Sequence, residues 1–375
     1  MFLAGVKTEM RRGEWADPKL GKTSYQAWAD RWMGVHAHLK PKTVAGYESL
    51  LRSLVLPEFG SSNLARIEPI QVREWVSQLT AGGLSASRIR QAYQLLSASL
   101  KAAVESGYVA RSPCVGVKLP KATKREMLFL NGVEIERLAR SIVEPYGIVV
   151  RFAAYSGLRF GEVTALRVGR IDLLGGRVRV VEAYSDVAGT LHLGPPKSGK
   201  ERTVPIPRFL CEQLGPALEG KSMEDLAFTA PEGGVLRQGN FYHRQYKPAV
   251  EVARLDPDLR FHDLRHTCAA LLVAKGAHPR AIMEHLGHSS ITVTMDRYGH
   301  LFPDEKERLA KGLDDTFREA KSKQDVAEKW PPAGPTVVSL PKWSKKLASD
   351  QPVWLWARQG SNLRPTDYES AALTD

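Results

Sequence analysis

Phe261-His262-Asp263-Leu264-Arg265-His266-Thr267, followed by His285-Leu286-Gly287-His288-Ser289-Ser290 and Tyr298-Gly299-His300, is the stretch that decides how this chain is read. His262 and Arg265 stand three apart, the spacing that puts two side chains on one helix face. Tyr298 follows His288 by ten residues. Two further segments stand upstream. In Ser156-Gly157-Leu158-Arg159-Phe160-Gly161-Glu162, Gly157 stops one helix and the next begins at Arg159, so that side chain projects from a helix start. The other is a Lys/Gly turn, Pro196-Lys197-Ser198-Gly199-Lys200. Each residue alone has an ordinary reading: a surface arginine, a structural histidine, a solvated turn lysine, a packed tyrosine.

Together these side chains describe one chemistry. Two guanidiniums clamp a phosphate and stabilise the charge of a pentacoordinate transition state. Imidazoles hold the remaining oxygens or exchange protons near neutral pH. A lysine protonates a leaving alkoxide, and a tyrosine hydroxyl attacks, its pKa drawn down by nearby cations. No acidic cluster suited to magnesium accompanies the set, which points to phosphoryl transfer through a covalent intermediate without metal or cofactor.

The rest of the chain is consistent with a polyanion partner. Lys and Arg number 53 against 41 Asp and Glu, a net charge of +12, and a basic balance favours nucleic acid. The three cysteines, Cys114, Cys211 and Cys268, have no paired spacing, so neither a zinc knuckle nor a disulfide framework is expected, and a reducing, cytoplasmic setting fits. No apolar run approaches the roughly 20 residues of a membrane span. The apolar start, Met1 to Val6, is too short for a secretory signal.

Periodicity divides the chain. Residues 1–21 form a short polar arm. Tyr25, Trp28, Ala29 and Trp32 lie on one helix face, with Ser24 as its cap, and helices are expected over 41–55, 69–81 and 85–106, so 22–118 is an all-helical unit. A basic linker, 119–127, leads to a second unit, 128–321. Asn131 with Glu134 forms a capping box there. Arg177 to Glu182, Leu191 to Leu193 and Arg202 to Ile206 read as strands of one small antiparallel sheet, and the chain is mostly helical after Pro207. The fold class is therefore mainly α with a small antiparallel β-sheet. Residues 322–375 are expected to be a disordered tail.

In their order along the chain, Arg159 to Leu166, the Lys197 turn, His262-x-x-Arg265, Leu286-Gly287-His288 and Tyr298 resemble the tyrosine recombinase (phage integrase) family over roughly 125–315, and 22–118 resembles its helical, SAM-like core-binding domain. The resemblance implies that Arg159, His262, Arg265 and His288 hold the phosphate, with Glu162 in support. Lys197 is the implied general acid, with Lys200 a close rival, and Tyr298 is the implied nucleophile. No catalytic role is expected for His266, His285 or His300. Lys121, Lys124 and Arg125 are expected on DNA phosphates. The implied activity is strand exchange through a 3′-phosphotyrosyl link, integrating a mobile element or also excising it, in a homotetramer on double-stranded DNA. A directionality factor and a host DNA-bending protein are implied partners. A resolvase or transposon-type recombinase, a type IB topoisomerase-like enzyme and a catalytically impaired DNA-binding relic remain alternatives. Larger integrases carry an arm-binding domain at the N-terminus; here Met10 to Pro18 resembles its trailing edge, so such a domain is either absent or cut off by a late start.

The tail holds a further signal. Gly360-Ser361-Asn362 permits codons containing TTCGAA, as in a tRNA T-loop. Asp367-Tyr368-Glu369 permits codons whose complement reads as an anticodon loop with CAT. Their separation fits a methionine tRNA gene read on the opposite strand, which would then be the attachment site.

Overall fold

The computed structural model describes residues 17–36, 38–121, 125–302 and 306–329. The expectations for 1–16, Lys124 and most of the tail, including Gly360 to Ser370, lie outside the described residues.

The first helices form where the sequence places caps and prolines. The Ser24 hydroxyl accepts the Ala27 N–H and opens α1 (Tyr25–Gly34). Pro41 opens α2 (Pro41–Leu50), which continues through a π turn at Leu51–Val55 to Phe59. Helices α3 (Pro69–Ala81) and α4 (Ala86–Glu105) are separated at Gly82 and Gly83. Their apolar faces close over Tyr25, Trp28, Trp32, Trp75, Leu96 and Leu100, all buried. Burying a large side chain contributes roughly 2–3 kcal/mol, and a stranded polar tip would cancel much of it. The tips are satisfied: Trp28 Nε1 donates to Ser99 O at 2.9 Å, Trp75 Nε1 to Leu54 O at 3.1 Å, and Tyr25 Oη bonds Ser99 Oγ at 2.7 Å.

Residues 125–131 lie in neither helix nor strand. The Asn131–Glu134 capping box then opens α5 (Gly132–Ser141), followed by α6 (Gly147–Ser156) and the short α7 (Phe160–Thr164). Five strands follow: β1 (Ile171–Asp172), β2 (Arg177–Val180), β3 (Ala183–Val187), β4 (Thr190–Gly194) and β5 (Arg202–Pro205). The remaining helices are α8 (Arg208–Leu218), α9 (Gln238–Phe241), α10 (Lys247–Val252), α11 (Asp263–Ala274), α12 (Pro279–Leu286) and α13 (Ile291–Tyr298). Helix α6 packs on α5 and α11 over a core that includes Val150, Phe152, Leu214, Phe241, Phe261 and Leu264. A smaller cluster, Cys268, Ala269, Ile282 and Leu286, surrounds Tyr298. No described helix is long and apolar enough to cross a membrane.

Two expectations about these elements are corrected. The strands make two sheets, not one: β1-β2-β5, with Val178 opposite Val204, and a separate β3–β4 hairpin, with Ser185 opposite His192. Strand β3 is half-buried along its whole length, so it lacks the alternation that marks a strand in sequence. Its turn, Ala188-Gly189, takes positive φ at both residues, 49° and 86°, as two-residue hairpins require. The Lys197 turn therefore connects strands of different sheets and is not a hairpin tip.

The second correction concerns the C-terminal side, where α14 (Lys306–Lys329) runs past the expected boundary at 321. Ser322 to Lys329 contains no Gly or Pro to stop it. Along this helix Leu313 and Phe317 are exposed.

Candidate active site

Two glycine-capped helix ends build the floor of the site. Helix α6 ends at Gly157 (φ 65°) and α12 at Gly287 (φ 67°), both left-handed. The carbonyls at these ends, Gly157 O and Leu286 O, accept the Arg265 guanidinium at 2.7 and 2.6 Å. Carbonyls at helix C-termini carry partial negative charge, so they hold a cation well. Arg265 is buried, and burial, then repulsion by Arg159, pulls its pKa down to about 9. It stays charged at neutral pH.

Arg159 is the N-cap of α7, as its place after a helix break foretold. Glu162 accepts the Arg159 backbone N–H at 2.9 Å and its guanidinium at 3.1 Å. The same carboxylate accepts both terminal nitrogens of Arg202, at 3.0 and 2.7 Å. Burial alone would raise the Glu162 pKa, but the bonds and charge of Arg202, aided by Arg159, hold it at about 2. Arg202 also donates to His285 O at 3.2 Å and lies against Gly287, so it ties β5 to the end of α12. Arg202 was not singled out in the sequence; its position four residues upstream of Ile206, in a strand, carried no signal of a partner 40 residues away.

His262 sits at the N-cap of α11 rather than within the helix, and its ring packs edge-on against His266 at 5.0 Å. Burial, then His266 and the Arg265 and Arg159 charges, lowers its pKa to about 3. His288 follows Gly287, with Nδ1 bonded to Thr294 Oγ1 at 2.8 Å. Burial and four arginines, Arg265, Arg159, Arg297 and Arg202, lower its pKa to about 3. Its Nε2 is buried with no protein partner.

Tyr298 ends α13 and is fully buried. Its ring lies nearly parallel to that of His288, with centroids 6.2 Å apart. Its hydroxyl bonds His266 Nδ1 at 2.8 Å. The structure thus puts His266, for which no role was expected, in contact with the candidate nucleophile; it lies one residue after Arg265, and only the fold reveals what it faces. The expected fall in the Tyr298 pKa is also corrected: burial raises it, and Arg265 and Arg297 only oppose that rise.

Lys197 lies exposed between β4 and β5, as does Lys200. The Lys40 ammonium, just before α2, donates to Pro196 O and Lys197 O at 3.2 and 3.3 Å. This contact joins the turn to the helical region. Of the expected DNA-contacting residues, Lys121 is exposed, and Arg125 pairs with Asp258 at 3.1 Å.

Arg159, His262, Arg265, His288 and Tyr298 therefore share one neighbourhood, with a cationic surround that fits an anion. Comparison with known proteins bears on the family and the fold. The profile of the phage integrase family matches residues 129–305, and that of the phage integrase N-terminal SAM-like domain matches 24–80. The prophage phiRv2 integrase of Mycobacterium tuberculosis is 31% identical over 314 residues, covering 80% of this chain and 81% of the relative. The ICEBs1 integrase of Bacillus subtilis is 27% identical, covering 74% and 78%. Among solved structures, the Tn1549 transposon integrase in complex with transposon right end DNA superposes with a TM-score of 0.68 at 17% identity, covering 79% of this chain and all of that one. A lambda integrase tetramer bound to a Holliday junction gives 0.60 at 17%, covering 80% and 81%. The chain belongs to the phage integrase family of tyrosine recombinases.

Proposed function

We propose that this chain is a site-specific DNA integrase in which Tyr298 forms a 3′-phosphotyrosyl link. The observation that best supports this reading is the grouping of a buried tyrosine hydroxyl with two arginines and two neutral histidines. The Tyr298 oxygen bonds the phosphorus as its hydroxyl proton passes to His266 Nδ1, its hydrogen-bond partner, and the P–O5′ bond breaks. Arg159, Arg265, His262 and His288 stabilise the charged oxygens. Lys197, or its neighbour Lys200, gives a proton to the leaving 5′ oxygen. The 5′-hydroxyl of a partner strand then attacks the phosphotyrosine and reseals the backbone. Glu162 supports Arg159. In the protein alone the Tyr298 hydroxyl is covered, so DNA binding has to uncover it.

Four copies on paired attachment sites would complete the exchange, in the cytoplasm, with a directionality factor and a DNA-bending protein choosing integration or excision. Lys121, Lys124 and Arg125 would contribute sequence-independent phosphate contacts. The codons permitted by Gly360 to Ser370 favour a methionine tRNA gene as the attachment site, and the nucleotide sequence of the gene tests that directly.

The test of the chemistry is a suicide-substrate assay. Wild type and Tyr298→Phe are incubated, with EDTA present, with a nicked duplex carrying the candidate attachment core. A covalent adduct from wild type only is the expected result. DNA retained in a gel shift without any adduct would overturn the reading in favour of a binding-only relic.

A further inference from the structure

We propose that Thr294 is a positioning residue that sets the tautomer of His288, so that its Nε2–H is presented to a phosphate oxygen of the DNA. This rests on the proposed DNA-cleaving reading of the site. Thr294 is fully buried on α13, one turn before Tyr298, and its hydroxyl meets His288 Nδ1 at 2.8 Å. A helical threonine commonly donates to the carbonyl four residues back. Thr294 has no such bond; among the described residues His288 is its one side-chain hydrogen-bond partner. The hydroxyl proton is therefore directed to Nδ1, which acts as acceptor. A neutral imidazole with an accepting Nδ1 carries its proton on Nε2.

That Nε2 is a buried donor without a protein acceptor, the one such side-chain nitrogen or oxygen among the described residues. Buried polar groups are otherwise paired almost without exception, and an orphan marks a place where a ligand completes the bonding. The charges that act on His288 are those of Arg265, Arg159, Arg297 and Arg202, all positive, so the acceptor that fits is an anion. The opposite tautomer would turn a lone pair toward that anion and strand the threonine proton. Because Thr294 and Tyr298 stand four apart on one helix, the bond also couples the His288 ring to the helix that carries the nucleophile.

The test uses the full chain labelled with ¹⁵N-histidine, with His288 assigned by loss of its signals in His288→Gln. Long-range ¹H–¹⁵N correlation separates the two tautomers. Wild type should show the Nε2–H form. Thr294→Val, which keeps the shape and removes the hydroxyl, should gain the Nδ1–H form, and Thr294→Ser should restore the wild-type pattern. On the nicked duplex, adduct formation should slow about tenfold or more in Thr294→Val and recover in Thr294→Ser, with gel-shift affinity unchanged. An Nδ1–H form in wild type overturns the proposal, as does a Thr294→Val protein that cleaves at the wild-type rate. Wild type that shows the expected tautomer yet forms no adduct overturns the phosphate role and the DNA-cleaving reading together. The Thr294–His288 assignment would then stand, so the two failures are distinguishable.

Discussion

Replacing Glu162 with glutamine should destabilise the protein at neutral pH and leave it nearly unaffected in strong acid. The Glu162 side chain is 1% exposed and that of Arg202 is 8% exposed, so solvent screens their pair little. A carboxyl whose pKa falls from 4.5 to about 2 on folding contributes about 3 kcal/mol of stability at neutral pH. Mutational precedent for breaking a buried pair, about 3–5 kcal/mol, gives the same range. The sign follows from the depressed folded value. The contribution is complete above pH 4.5 and is lost as the pH falls through about 2, with more than half gone by about pH 3. Denaturant unfolding of wild type and Glu162→Gln, at steps from pH 7 to pH 3, isolates this group because all other carboxyls titrate in both proteins. Arg202→Met should give a deficit of the same sign that begins to narrow at a higher pH: the carboxylate, left with Arg159 alone, gains a higher pKa, so mild acidification already relieves part of the loss. A difference below about 1 kcal/mol at pH 7, or one of constant size down to pH 3, would refute the reasoning.

Two further outcomes are expected. Gly157→Ala should cost about 2–4 kcal/mol, measured by denaturant unfolding: positive φ penalises a side chain, and the added Cβ would stand 2.6 Å from Leu286 Cδ2 and 3.0 Å from Cys268 Sγ. An unchanged or raised stability would show that the end of α6 and its carbonyl are not held as described. Acidification should also destabilise the protein well above the carboxyl range. Burial lowers His262 and His288 to about 3 and His266 and His285 to about 4, so the unfolded chain binds protons that the folded one refuses. Stability should therefore decline as the pH falls from about 6.5 toward 4, and a flat unfolding free energy between pH 7 and pH 5 would contradict the burial of these rings.

Local features were legible in the sequence because their causes are local. The Ser24 cap, the Asn131–Glu134 box and the glycine stop at Gly157 are written within a few residues of where they act. The apolar stripe of α1 reads at helical spacing because one face is buried and the other is not. Strand β3 was missed for the complementary reason: it is half-buried throughout, so no period appears. The candidate site was legible as a set of residue types in a family order, without its internal bonds.

The sequence by itself determined where helices start and stop, which faces are apolar, that the chain is basic, and which arginines, histidines and tyrosine resemble the family's set. Only the tertiary structure decided that Arg202 holds Glu162, that His266 faces the Tyr298 hydroxyl, and that Thr294 faces His288. It also decided that Tyr298 is buried, so that desolvation outweighs the surrounding cations. The physical reason is that a pKa and a hydrogen bond depend on what lies within a few ångströms. For Arg202 and Tyr298 those neighbours come from segments 32 to 40 residues away, brought together by the packing of α6, α11 and α12 and by β5.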